Sequence, residues 1–375
     1  MSPTERLSML PAGSSPLPPG STIGILGGGQ LGRMLASAGT CLGLHFHIYC
    51  PDENAPAFEV ARDRTIASYE DATALQAFAQ SCDVVTFEFE NIPLIALDHI
   101  EAHCPILPNR RALEVTQDRR IERDFLEKTG ISVANWAPVQ RLKVLEDLVA
   151  HGLCPAILKT ARLGYDGKGQ ARINQLQDAK QAFQAIGEQP AIIEALVPFE
   201  REISLLLVRN QQGEMAFYDC PQNHHVDGIL HTSKVPARLG PKLREQAHTM
   251  GREIADSLDY VGLLAIELFV VEEQNSPRLL VNEIAPRVHN SGHWTLDACL
   301  CDQFENHIRA IANWPLGSTR RHSNALMTNL LGRDVLDWHN LAGQAEICVH
   351  LYGKQGAKEG RKLGHVTQIS APDDC

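Results

Sequence analysis

No apolar run in this 375-residue chain approaches the roughly 20 residues needed to cross a bilayer, and the first residues carry no signal-peptide hydrophobic segment. A membrane-spanning or exported protein is therefore not expected, and the chain reads as cytoplasmic. Positive charge is scarce: 34 Lys and Arg stand against 45 Asp and Glu, a net charge of −11. Nucleic acid is thereby excluded as the main partner, because a phosphate backbone calls for a basic face. A nucleotide site survives this exclusion, since a few local cations and a metal suffice there. The ten cysteines are scattered, and no C-x-x-C spacing occurs, so neither a paired-cysteine metal site nor a disulfide framework is expected. The G-K-[S/T] ending of a P-loop is missing as well. What remains, 44% hydrophobic and 21% charged residues, is the composition of an ordinary globular protein of two or three domains.

Chemistry is concentrated in Leu280-Val281-Asn282-Glu283-Ile284-Ala285-Pro286-Arg287-Val288-His289-Asn290-Ser291-Gly292-His293. A carboxylate, an amide, a guanidinium and an imidazole follow an apolar strand there and run into Ser and Gly, as at a strand end or loop. Sixteen residues before Glu283, Glu267 interrupts the apolar run Leu263 to Val271, and the polar stretch Glu272 to Pro277 lies between the runs. A hairpin about Asn275 sets Glu267 nearly opposite Glu283 on one sheet face. Two such carboxylates repel unless a cation or proton lies between them, and oxygen-only ligands suit Mg²⁺ bound together with phosphates. The plainer alternative is an edge strand with Glu267 facing water.

Two glycine-rich loops follow strands. Thr22 to Leu26 opens into Gly27, Gly29 and Gly32 in G-x-G-x-x-G spacing, before a helical pattern. Strands are also expected at Leu44 to Tyr49 and Asp83 to Phe87, giving a small doubly wound parallel sheet. Asp52 stands near the end of the second strand, so a dinucleotide oxidoreductase remains open locally. The second loop, Gly164-Tyr165-Asp166-Gly167-Lys168-Gly169-Gln170, follows the strand Ala156 to Leu158 and Lys159. Its glycines free the backbone to fold over a polyphosphate, and Lys159 and Lys168 supply charge; taken alone, a surface hairpin is as good a reading. A charged helix is expected over Asp118 to Gly130. Glu194, in the strand Ala191 to Val197, and Glu202 are groups of the kind that hold a purine and its ribose. His224 and His225 read as solvated or hydrogen-bonded loop residues.

These stretches, with Gly27 to Met34 and Asn282 to Thr295 the most specific, resemble the ATP-grasp superfamily and, within it, the 5-(carboxyamino)imidazole ribonucleotide synthases, from about Thr22 to His365. The resemblance implies an α/β chain, α+β in its ATP-grasp part, with an N-terminal Rossmann-like domain over 22–117. It further implies an ATP-grasp domain over 118–316, carrying a small lid at about 150–195, and a small C-terminal domain over 317–375. Residues 1–21 read as a disordered tail extra to the family core, and the C-terminal domain looks shorter than in some relatives.

The implied activity is carbon–nitrogen ligation: ATP-dependent carboxylation of aminoimidazole ribonucleotide by bicarbonate through carboxyphosphate, in purine biosynthesis. The implied ATP site comprises Arg119, Lys159, Gly164, Tyr165, Asp166, Gly167, Lys168, Gly169, Gln170, Glu194, Ala195, Leu196, Val197, Glu202, His225, Asn282 and Glu283. Arg287, His289, Asn290, Tyr165, Asp166 and Lys168 are the implied catalytic groups. Glu267 and Glu283 hold Mg²⁺, with Mn²⁺ able to replace it, and Gln30, Leu31, Glu88, Lys354, Arg361 and Lys362 take the ribonucleotide. The first glycine loop then serves the ribonucleotide and not a nicotinamide cofactor, and a homodimer is expected. A catalytically silent nucleotide binder would show a gap among these residues, and the sequence has none.

Overall fold

The computed structural model describes residues 15–164, 168–273, 276–356 and 358–372. Its first sheet is parallel, in the order β3-β2-β1-β4, from β1 (Thr22–Leu26), β2 (His45–Tyr49), β3 (Asp63–Thr65) and β4 (Val84–Phe87). Helices α1 (Gln30–Cys41), α2 (Ala72–Gln80) and α3 (Leu94–Glu101) belong to this unit. Two further helices, α4 (Arg110–Thr116) and α5 (Arg119–Lys128), lead out of it. Asp118 caps α5 with its carboxylate on the Arg120 N–H, satisfying a donor that the helix itself leaves open.

A second sheet is antiparallel, ordered β5-β8-β6-β7 from β5 (Trp136–Val139), β6 (Ala156–Thr160), β7 (Gln170–Ile173) and β8 (Ala191–Ala195). Helices α6 (Leu142–Ala150) and α7 (Asp178–Ala185) cover it through Leu145, Val149, Ala182 and Phe183, which share one core with Leu158 and Ile193. This unit begins at Trp136, ahead of the expected 150, because β5 is its edge strand.

The largest sheet runs β14-β13-β9-β11-β12-β15-β17-β16, with β10 also paired to β9. Its members are β9 (Arg201–Arg209), β10 (Met215–Phe217), β11 (Gln222–Val226), β12 (Ile229–Val235), β13 (Gly262–Glu273), β14 (Ser276–Ala285), β15 (Asn324–Leu331), β16 (Ile347–Leu351) and β17 (Lys362–Ser370). Successive side chains in β9 alternate between two cores, as a two-residue period requires. Ile203, Leu205 and Leu207 join Ala247, Met250 and Ile254 of α8 (Pro241–Ser257). Leu206 and Val208 join Phe304 and Ile308 of the helix at Gln303–Ile311 and, from the first unit, Ile23, Ile25 and Leu35. The parallel sheet is thus fastened by α1 to the far side of the large one. Buried His307 adds a polar tie: one ring nitrogen lies 2.9 Å from Thr86 Oγ1 in β4, and the other accepts the Leu263 N–H in β13.

The C-terminal strands extend the large sheet, since β15 pairs with β12. One expectation changes. The expected tail is too long at its C-terminal end: the Leu17 N–H donates to Ala312 O at 2.9 Å, and Leu17 O accepts from Trp314 Nε1 at 2.8 Å. Residues 1–14 lie outside the described residues.

Candidate functional site

The β13–β14 hairpin pairs Glu267 directly with Glu283, and a register shift follows immediately after Glu267. Both carboxylates therefore leave the same face. Burial pushes Glu267 up to about 7, and the neighbouring Glu283 adds to the rise. Burial acts on Glu283 too, but Arg119 and Lys159 outweigh it and hold that carboxyl below its ordinary range. Arg119 Nη1 is 3.1 Å from Glu283 Oε2. Asn282 lies between the two halves of the site, with Nδ2 donating to Glu267 Oε2 and Oδ1 accepting from Lys159 Nζ, both at 3.4 Å. Oxygen donors from two carboxylates and an amide match what a Mg²⁺–phosphate complex takes.

Behind this face sits a buried ion-pair group. Lys159 Nζ is 2.5 Å from Glu194 Oε2, and Arg123 Nε is 2.6 Å from Glu194 Oε1. Against the cost of burial, these cations hold Glu194 down to about 2. Arg123 also binds Glu122 at 2.8 Å and the Asn282 carbonyl, while Glu122 Oε1 accepts the Ile284 N–H at 2.7 Å. Helix α5 is thereby locked to β8 and β14. Glu122 and Arg123 are not among the expected site residues, although Arg119, Glu122, Arg123 and Leu126 share one helix face by their spacing. Charges on the face that also carries an apolar core residue were the available signal.

Lys159 pairs with Gln170 across β6–β7, so the second glycine loop closes that hairpin. Gly169 has φ +70°, and a Cβ there would lie 2.6 Å from Thr160 Oγ1, so only glycine fits without strain. A side chain at Gly164 would approach Arg119 Nη2 to 3.8 Å, which places the loop beside the Glu283 partner. Tyr165, Asp166 and Gly167 lie outside the described residues. The Ala195 and Leu196 N–H groups donate to Asn135 O and Pro155 O, fixing the chain before Val197. Glu202 contacts His225 Nδ1. Burial would lower that histidine, but Glu202 and Glu267 outweigh it and raise it. His225 is thus part of the site, while the neighbouring His224 is exposed.

The first glycine loop is occupied differently. Gly27 turns at φ +104°, and the Gly29 N–H donates to Glu88 Oε1 at 2.8 Å. A carboxylate thus already fills the place a dinucleotide pyrophosphate would take, and Asp52 is exposed and accepts the Asn54 N–H. Burial pushes Glu88 up, opposed by the Gly29 N–H and by Arg287 and Lys354. Arg287 Nη2 itself lies 2.5 Å from Glu90 Oε1. Lys354 stands over the Tyr352 ring and donates to Lys362 O at 3.1 Å, while Lys362 acts electrostatically on His225 and His289. Arg361 Nη1 binds Gln355 O at 2.5 Å. Lys354 is therefore near enough to the first glycine loop to act on Glu88; Leu31 is buried and Gln30 begins α1.

His289 is held well below its ordinary value by burial first and Arg287 second, so its ring is neutral, with Nε2 3.6 Å from Glu267 Oε1. The buried Asn290 amide is held reciprocally by Asn329, at 3.0 and 2.7 Å, which leaves one N–H and one lone pair of that amide unused.

Comparison with known proteins agrees with this geometry. An ATP-grasp domain model matches residues 124–304, a ribonucleotide synthetase preATP-grasp domain 21–117, and a phosphoribosylaminoimidazole carboxylase C-terminal domain 325–374. The chain is 46% identical to the N5-carboxyaminoimidazole ribonucleotide synthase of Brucella melitensis, over 94% of this chain and 97% of that one. It superposes with TM-score 0.90 and 40% identity on an ADP complex of N5-carboxyaminoimidazole ribonucleotide synthetase, covering 95% of this chain and 94% of the other. An Aspergillus clavatus N5-carboxyaminoimidazole synthase with ADP and 5-aminoimidazole ribonucleotide gives 0.86 at 27% identity, over 94% of both.

Proposed function

This chain belongs to the N5-carboxyaminoimidazole ribonucleotide synthase family of ATP-grasp ligases, and we propose that its cleft performs that family's reaction with the residues described above. ATP, bicarbonate and 5-aminoimidazole ribonucleotide give the N5-carboxylated ribonucleotide, ADP and phosphate, a step of purine biosynthesis. An oxygen of bicarbonate forms a bond to the γ-phosphorus as the bond to ADP breaks. The amine nitrogen then bonds to the carboxyl carbon of carboxyphosphate, and inorganic phosphate leaves with the electron pair.

The carrying observation is the Glu267–Glu283 pair, two carboxylates side by side with only Glu283 compensated by an arginine. Mg²⁺ bound there would supply charge neutralisation between the γ-phosphate oxygens. Arg119 orients Glu283 and lies beside the Gly164–Gln170 loop, which folds over the phosphates together with Lys168. Lys159, fixed by Glu194 and Asn282, presents a cation to the same polyphosphate. Glu202 and His225 take the ribose side, and the backbone through Val197 takes the purine edge. Arg287 stabilises developing charge on carboxyphosphate. Neutral His289, with Nε2 beside Glu267, is the group placed to accept the amine proton. Lys354, Lys362 and Arg361 receive the ribonucleotide 5′-phosphate, with Glu88 and Gln30 at the adjoining loop. The working form is a cytoplasmic homodimer, a reading supported by the family resemblance and checked by light scattering.

The assay is inorganic phosphate release from ATP, with Mg²⁺, in the presence and absence of bicarbonate and aminoimidazole ribonucleotide. Full turnover should require all of them. Release stimulated equally by unrelated amines would overturn the substrate assignment.

A further inference from the structure

On the opposite flank of the large sheet, β16 and β17 place four donors on one face. Cys348 pairs with Thr367 and His350 with His365, and a two-residue spacing puts both pairs on the same side. Asp297, in the short helix Thr295–Ala298, lies against them, with both carboxylate oxygens 3.0 Å from His350 Nε2. One ligand atom each from Asp297, His350 and His365 falls within 4.8 Å of the others. The two imidazoles are stacked, centroids 4.5 Å apart and 13° from parallel.

An independent observation points to a ligand. His365 is fully buried, and its Nδ1 is 2.9 Å from Tyr352 OH, while its Nε2 meets no hydrogen-bond partner among the described residues. The Thr367 hydroxyl next to it is buried and equally without a partner. A buried imidazole nitrogen left unpaired is destabilising unless a ligand satisfies it. One with its other nitrogen fixed by a hydroxyl is arranged as metal-binding histidines are.

We propose that Asp297, His350 and His365 form a site for a borderline-soft divalent ion such as Zn²⁺, separate from the Mg²⁺ carboxylates. Two imidazoles and a carboxylate, with water in the fourth position, make a tetrahedral zinc donor set, whereas Mg²⁺ demands six oxygens. Tetrahedral zinc bonds of about 2 Å set ligand atoms about 3.3 Å apart, so atoms that lie within 4.8 Å of one another need to close by no more than about 1.5 Å. His350, whose side chain is 30% exposed, has room to make that shift. The ion clamps the β16–β17 hairpin, whose connection carries Lys354 and Arg361, onto the segment that follows His289. It is a structural clamp, remote from the phosphate chemistry.

The test uses the full-length, tag-free protein, stripped by chelator and dialysed against Zn²⁺ in millimolar Mg²⁺, which saturates the oxygen-only pair. Zinc per chain is read by mass spectrometry, and ligand geometry by the visible absorption of the Co²⁺-loaded protein. Wild type should take up one equivalent, show an intense tetrahedral Co²⁺ spectrum and melt at higher temperature with zinc. His350→Ala and Asp297→Asn should each weaken zinc at least tenfold, while near-ultraviolet circular dichroism reports an intact fold. Tyr352→Phe should cost about ten- to a hundredfold, the usual effect of removing a group that orients a ligand. Wild type binding zinc no better than His350→Ala, or zinc that raises the melting temperature of all three variants as it does wild type, would overturn the site.

Discussion

Glu194 and Glu267 are carboxylates of the same cleft, and their surroundings are opposite. Glu194 is gripped by Lys159 and Arg123 and stays ionised, with a pKa of about 2. Glu267 faces a second carboxylate and a neutral imidazole, and its pKa rises to about 7. The first charge is settled inside the protein; the second is left to a ligand. A buried charge without a compensating partner is costly, so a protein keeps such a group where binding supplies the partner.

The largest effect expected from disturbing this contrast is on turnover. Glu267→Gln and Glu283→Gln keep shape and remove charge, and each should lower kcat on the order of a thousandfold, since a metal clamp contributes several kcal/mol to the transition state. Steady-state phosphate release checks this, with melting temperatures held near wild type. Near-normal turnover in both variants would erase the distinction between the two carboxylates.

The matching change on the settled side acts on stability. Arg123→Met leaves Glu194 and Glu122 without their shared guanidinium, and removing one partner of a buried pair costs roughly 3–5 kcal/mol. Denaturant unfolding should show that loss. A loss below about 1 kcal/mol would mean that the ion pairs behave as surface pairs do.

A smaller effect sharpens the separation of the two anion sites. Lys354→Ala should weaken the ribonucleotide by about ten- to a hundredfold, the roughly 1.5–3 kcal/mol of a charge-assisted contact, and leave ATP unchanged. Calorimetry with each ligand alone decides it; ATP weakened as much as the ribonucleotide would assign these cations to the wrong phosphate.

The smallest expected effect is a pH slope. Glu267 binds its proton more tightly folded than unfolded. Its contribution therefore favours folding at low pH and is lost as pH rises from the ordinary carboxylate range through about 7. The metal-free protein should lose at most about 1.4 kcal/mol per pH unit from this group across that window. Glu267→Gln should flatten the slope, as should saturating Mg²⁺. Identical slopes in wild type and variant would refute the elevated pKa.

Much of this arrangement was legible in the sequence where its cause is local. Apolar runs flanking a polar turn locate the β13–β14 hairpin, and the register of Glu267 with Glu283 follows from counting. Glycine spacing after a strand locates both loops. Long-range partners cannot be read that way: Glu88 reaches Gly29 of the first loop from 59 residues away, and Asn290 finds Asn329 from 39 residues away. Glu122 and Arg123 look like an ordinary charged helix until α5 is docked on β8 and β14. The extension of the large sheet by β15 likewise depends on β12, a pairing no local pattern encodes.

The account rests on Glu267 and Glu283 being the charges left for a cation. The direct measurement is Mn²⁺ binding by electron paramagnetic resonance at pH 7 with ADP present, for wild type, Glu267→Gln, Glu283→Gln and Arg123→Met. The two glutamine variants should bind Mn²⁺ at least tenfold more weakly, and Arg123→Met should stay near wild type wherever it remains folded. Glu267→Gln and Glu283→Gln binding Mn²⁺ as tightly as wild type would contradict the account.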